Sequence, residues 1–257
     1  MRTFGLLVAS AALAAGAGAD AQSLAGLTSR GFGIPTVTAA HVECTDVPTS
    51  TEPVVSLRIL ASHSPDLHEQ FAAGEIVVLT QTVTDGLAPG QQYYIRRLQP
   101  SLYGRPPSAL EPGAIHTAGW LTVTAADESS ALARIDYACD AARTGDFLEP
   151  FTEPTMSRAS GPDGAPRFDD PATVLFGKDR REAFGAGEVF SIDRGTAQGI
   201  AAGTRLIVFR DRQNGGPLVA IGEGHVVTAD PNSARVLVTR ARDAVKAGDF
   251  VMSRTAP

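Results

Sequence analysis

Apolar and polar positions alternate along this chain in runs of five to eight residues, and no long stretch keeps a helical period. Residues 54–61, VVSLRILA, are β-branched and apolar and make the first convincing strand. Further strands are predicted at 75–82, 91–98, 120–125 and 131–138, with a closing strand from Phe147. A corresponding set in the second half includes 225–229, 234–240 and a closing strand from Phe250. Six short strands per half and no sustained helix predict an all-β fold.

The pattern occurs twice. Residues 71–97, FAAGEIVVLTQTVTDGLAPGQQYYIRR, align without a gap on 184–210, FGAGEVFSIDRGTAQGIAAGTRLIVFR, at an offset of 113. Eight of the 27 positions are identical, among them Phe71/Phe184, Gly74/Gly187, Glu75/Glu188, Gly90/Gly203 and Arg97/Arg210. The halves converge again at an offset of 103, through Ser130/Ser233, Asp140/Asp243, Gly145/Gly248, Asp146/Asp249 and Phe147/Phe250. A repeated unit of this size reads as a duplicated module. Its recurring residues are turn glycines and core positions, with strand, tight loop and strand in succession. Leu87 and Ile200 stand in the middle of the loop, placed to plug the end of a small barrel. Glu75/Glu188 follows a glycine at a strand start, which favours a structural role. Short strands and tight turns favour a barrel over a sandwich, because closure removes exposed edges.

The copies part between Leu98 and Thr117, where the first carries a longer, proline-rich loop, and Trp120 aligns with His225. Loops on rigid scaffolds often carry binding residues, so Tyr103 and Arg105 are candidate partner contacts, although a loop aromatic also packs back on its own scaffold. Trp120 reads as core or barrel rim. Residues 152–170, TEPTMSRASGPDGAPRFDD, read as a linker that lets the halves change orientation.

Charge and the N-terminus narrow the setting. The 257 residues carry a formal charge of −6, which argues against a nucleic-acid partner. Residues 54–151 hold 6 basic and 11 acidic side chains, a net −5, whereas 171–257 hold 12 and 9, a net +3. The second half, with Arg180 and Arg181 as candidate contacts, is the part able to meet an anionic polymer. Arg2, an apolar stretch at 4–15 and Ala19-Asp20-Ala21 follow the order of a secretory signal, so residues 1–21 are expected to be removed. No later stretch is long and apolar enough to span a bilayer. Residues 22–53 then read as an extended tail on the first module.

Cys44 and Cys139 are the only two cysteines, and in an oxidising compartment their default is one disulfide, the competing reading being two buried thiols. Cys139 has Arg242 as its counterpart, so the bridge would belong to the first module and pin the tail.

The apolar strand, the G-[IL]-A-x-G loop, the strand ending in Arg and the closing D-A-x-x-x-G-D-F resemble the C-terminal SH3-like barrel of the periplasmic flagellar assembly protein T. They are also similar to repeats that accompany LysM modules in secreted envelope proteins. The resemblance covers about 54–151 and 171–254 and rests on turn glycines and alternation. It implies two tandem SH3-like β-barrels in an envelope accessory protein without catalysis. The chain has no recognisable LysM module and none of the flagellar protein's other domains.

Motifs for chemistry are sparse. His41, His63, His68, His116 and His225 are scattered. The densest group, His63, Asp66, His68 and Glu69, lacks the ligand spacing of a zinc site. There is no G-x-S-x-G elbow, no H-E-x-x-H and no phosphate loop with its lysine. No metal or cofactor is expected, and the partner is expected to be an envelope protein or, alternatively, peptidoglycan. A hydrolase with an unrecognised site is the third reading.

Overall fold

The computed structural model describes residues 37–64, 68–80, 86–101, 105–108, 112–127, 130–153, 155–212 and 216–255. The expected signal segment, the start of the tail and Tyr103 lie outside them. The fold is almost entirely β. In the first half the strands are β1 (Val47–Thr49), β2 (Ile59–Ser62), β3 (Gln70–Phe71), β4 (Ile76–Leu79), β5 (Gln92–Gln99), β6 (Gly113–Ala126), β7 (Ala131–Ala138), β8 (Ala142–Arg143) and β9 (Phe147–Pro150). In the second half they are β10 (Ala172–Gly177), β11 (Ala183–Phe184), β12 (Val189–Ile192), β13 (Arg205–Arg210), β14 (Val219–Ala229), β15 (Ala234–Ala241), β16 (Val245–Lys246) and β17 (Phe250–Ser253).

The second half closes into a six-stranded barrel, β10-β12-β15-β14-β13-β17. The first half runs β2-β4-β7-β6-β5-β9, the same order, and its ends meet through the Arg58–Phe147 bridge, with β1 added on β6. Each sheet wraps its own apolar core. Ile59, Leu79, Ile95, Leu121 and Ile135 fill the first, and Phe190, Ile192, Leu206, Ile221 and Val236 the second. Leu87 and Ile200 are members of these cores, as expected of loop plugs.

Side-chain hydrogen bonds account for several recurring residues. Arg97 grips Asp146 with both arms at 2.7 and 2.8 Å and Arg210 grips Asp249 at 2.8 and 2.7 Å, so each clamps the Gly-Asp turn to the end of a strand. Glu75 accepts from the Ala72 amide and Glu188 from that of Gly185, tying their turns in the same way. At Gly74 and Gly187, φ is +91° and +85°, a conformation that a Cβ disfavours.

Strand pairing corrects one alignment. Trp120 faces Tyr137 across the ladder, as Glu223 faces Arg240, and Leu121 faces Ile135 as Gly224 faces Val238. The counterpart of Trp120 is therefore Glu223, not His225. The longer loop of the first half shifts the register by two residues more than the sequence pattern suggests. That loop is also shorter than expected: residues 113–115 pair with β1, and Ala114 and Ile115 pair with β5 as well.

Within the segment 152–170, residues 157–168 form a strap laid on the second barrel. Its Ser157, Ser160 and Arg167 amides donate to Val227, Gly203 and Ser253, and Phe168 sits 5.3 Å from the Phe209 ring. The described tail, both sheets and the strap belong to one compact unit.

Candidate functional site at the junction of the two halves

The described tail does more than line the first sheet. Thr38 caps a short helix, α1 (Ala39–Glu43), by accepting from the His41 amide. Val42 on this helix packs with Val189 and Val227 of the second barrel. Two residues on, the Cys44–Cys139 disulfide fastens the tail to the end of β7, with Cα atoms 5.5 Å apart. The tail is therefore a staple held by both halves, which corrects the expectation that it serves the first module alone. The physical reason is legible in β12, whose sequence VFSI is buried at every position, whereas β4 buries only alternate ones. Phe190 and Ile192 face the barrel core, while Val189 meets Val42 and Ser191 donates to the Asp46 carbonyl at 2.8 Å.

Two buried carboxylates of the tail join the halves electrostatically. Glu43 accepts from Arg235 of the second barrel at 2.9 Å and lies 3.9 Å from Arg96 of the first. Arg96 also donates to the Thr117 hydroxyl, stacks 4.2 Å over the Tyr94 ring and lies 3.4 Å from Glu149. Burial, and then the neighbouring Arg235 charge, press the Arg96 pKa down. Burial, and then the Glu43 charge, push the Tyr94 phenol up to about 12. Neutral phenol is thus favoured in the folded state, and stability is expected to fall as pH rises from 10 to about 12. Ultraviolet difference titration should show one of the four tyrosines ionising last and only with that loss; uniform ionisation near pH 10 would contradict the assignment.

Asp46 is the second carboxylate. It is fully buried and accepts from His116 Nδ1 at 2.8 Å and from the Arg180 amide at 3.0 Å. His116 is itself fully buried, and its Nε2 has no hydrogen-bond partner. Asp140 approaches that nitrogen at 3.5 Å, and Asp179 from the second half comes within 3.8 Å of Nδ1. Asp179 and Arg180 both have positive φ, at 56° and 53°. Lys178 donates to the Cys139 carbonyl at 2.7 Å, a third tie between the halves.

Of the expected partner contacts that are described, Arg105 and Arg180 both lie against the Pro100–Ser101 stretch. Arg105 closes a turn with Ser101, its amide donating to the serine hydroxyl at 3.2 Å. Arg180 donates to the Pro100 carbonyl at 2.9 Å and lies 5.0 Å over the Phe176 ring, so it is committed to the junction. An anionic polymer would have to compete with these contacts for its guanidinium. Arg181 is exposed and pairs with Glu188 at 2.8 Å. Most other arginines of the second half are also in ion pairs: Arg194 with Asp170, Arg205 with Asp163, Arg210 with Asp249 and Arg212 with Asp243. Trp120 is part of an aromatic cluster, stacked on Tyr137 at 4.3 Å with Tyr94 and Phe151 beside it. Of the other histidines, His225 has its pKa lowered by burial against the strap.

Sequence reasoning missed Glu43, Asp46, Arg96, His116, Asp179 and Arg235. The repeat hides most of them: Glu43 and Asp46 lie in the tail outside it, and Arg96 and His116 correspond by ladder register to Phe209 and Val219. One signal was present, since Asp140 recurs as Asp243, five residues ahead of the glycine of each Gly-Asp turn. No protein-family model matches the chain, and no curated protein matches it significantly.

Proposed function

We propose that this is a secreted, periplasmic, non-enzymatic component of the cell envelope that acts as a protein-interaction module built on two SH3-like barrels. One observation carries the reading. The face of the first half made by β5 and β6, with Arg96 and His116, is covered by protein, namely the tail and the second barrel. The corresponding face of the second half, with Phe209 and Val219, is apolar and only partly covered. Phe168 of the strap lies over Phe209 and is itself 55% exposed, and Val219 is 41% exposed. An apolar protein partner suits that surface. Buried charges and a disulfide at the junction then hold this face in a constant relation to the first half.

Peptidoglycan binding through the second half has less support, because the ion pairs leave chiefly the exposed Arg240, Arg242 and Lys246 for a polysaccharide. The two readings separate in intact envelopes. A photo-crosslinker at Val219 is expected to give a discrete protein adduct that disappears when Phe168 is replaced by Glu. Saturable, salt-sensitive pelleting with purified sacculi, and no adduct, would replace the protein reading with the polysaccharide one.

A further inference from the structure

His116 is the one histidine that combines full burial with an unsatisfied ring nitrogen and two approaching carboxylates. A buried polar atom without a partner is costly, so its surroundings call for an explanation. Here Nδ1 is held by Asp46 at 2.8 Å, which orients the ring and leaves Nε2 as a lone-pair donor when Nδ1 carries the proton. A carboxylate behind an imidazole whose other nitrogen is free is the arrangement that metal-ligating histidines use.

We propose that His116, Asp140 and Asp179 form a binding site for a divalent cation of the zinc class, with Asp46 as the group that positions the imidazole. One ligand atom from each of the three lies within 4.8 Å of the others. Zinc bonds of about 2.0–2.2 Å put two ligands of a tetrahedral ion roughly 3.3–3.6 Å apart. The Nε2 to Asp140 separation of 3.5 Å falls in that interval; Asp179 lies 3.8 Å from Nδ1, and its exposed side chain would turn toward Nε2 to complete the set. The charge balance favours a cation. Three carboxylates, Asp46, Asp140 and Asp179, surround one imidazole, while the nearest basic groups sit at the edges: Arg97 is 3.9 Å from Asp140 and Lys178 is 4.0 Å from Asp179. Arg97 is already engaged by Asp146. One nitrogen and two carboxylate oxygens suit a borderline ion better than calcium or magnesium, which prefer all-oxygen sets. Solvent reaches the site through Asp179, whose side chain is 63% exposed. Because Asp179 belongs to the second half and the other ligands to the first, the ion would be a further tie across the junction.

The test uses the full mature chain, stripped with a chelator and titrated calorimetrically with zinc, and with calcium and magnesium in parallel. One zinc per chain is expected, with affinity reduced by about tenfold or more in Asp140→Asn and in Asp179→Asn. Both aspartates are at least partly exposed, so these variants keep the fold, which circular dichroism verifies. The proposal is overturned if the unsubstituted chain shows no saturable zinc binding. It is equally overturned if both variants bind zinc as tightly as the parent, or if calcium or magnesium binds more tightly than zinc.

Discussion

Replacing Glu43 with Ala is expected to destabilise the protein by about 3–5 kcal/mol, the usual consequence of removing one partner from a buried ion pair. Glu43 is 8% exposed and lies between Arg235 at 2.9 Å and Arg96 at 3.9 Å, themselves 6% and 7% exposed. Without it, two guanidiniums from opposite halves face each other in a site that water reaches poorly. Glu149, 3.4 Å from Arg96, compensates one of them in part. Urea unfolding followed by the fluorescence of the single tryptophan, Trp120, measures the loss, and this reporter sits beside Tyr94, which Arg96 covers. A second variant, Glu43→Gln, keeps a hydrogen-bond acceptor and should separate the shape of the site from its charge. If both variants lose less than about 1 kcal/mol, the junction charges are solvated like surface pairs and the staple has no electrostatic component.

Removing the disulfide, by Cys44→Ala with Cys139→Ala, is expected to cost about 4–5 kcal/mol on the chain-entropy account for a loop of this length. The bridge closes a sequence separation of 95 residues. The effect should extend beyond the tail, because the segment it pins carries Val42, Glu43 and Asp46, all of which touch the second half. Limited proteolysis of the double variant is therefore expected to cut the strap at 157–168 as well as the tail. Cleavage confined to the tail, with an unfolding midpoint close to that of the parent, would mean that the two halves hold together without it.

Much of the architecture was legible in the amino-acid order. Alternating runs, turn glycines and the offsets of 113 and 103 sufficed for an all-β fold, the positions of most strands and the loop plugs Leu87 and Ile200. Each depends on local chemistry: a strand face needs apolar residues every second position, and a tight turn needs glycine where φ is positive. Two cysteines in a chain with a secretory signal pattern were enough to expect their pairing, since no other thiol competes.

The junction was settled only by the tertiary structure. Glu43, Asp46, Arg96, His116, Asp179 and Arg235 span 192 positions and follow no period, so no window along the chain brings them together. Glu43 and Asp46 lie outside the repeat, and Arg96 and His116 stand where the halves differ, so a comparison of the halves discards them. The strap shows the same limit, because residues rich in Pro, Gly and Ser read as a free linker until Phe168 and the amides at 157–167 find partners on a folded barrel. Local sequence determines which strands form and where they turn. Which outer faces become buried, and which charges must then be neutralised, depends on how the closed barrel and the first sheet meet, a long-range matter of shape and desolvation.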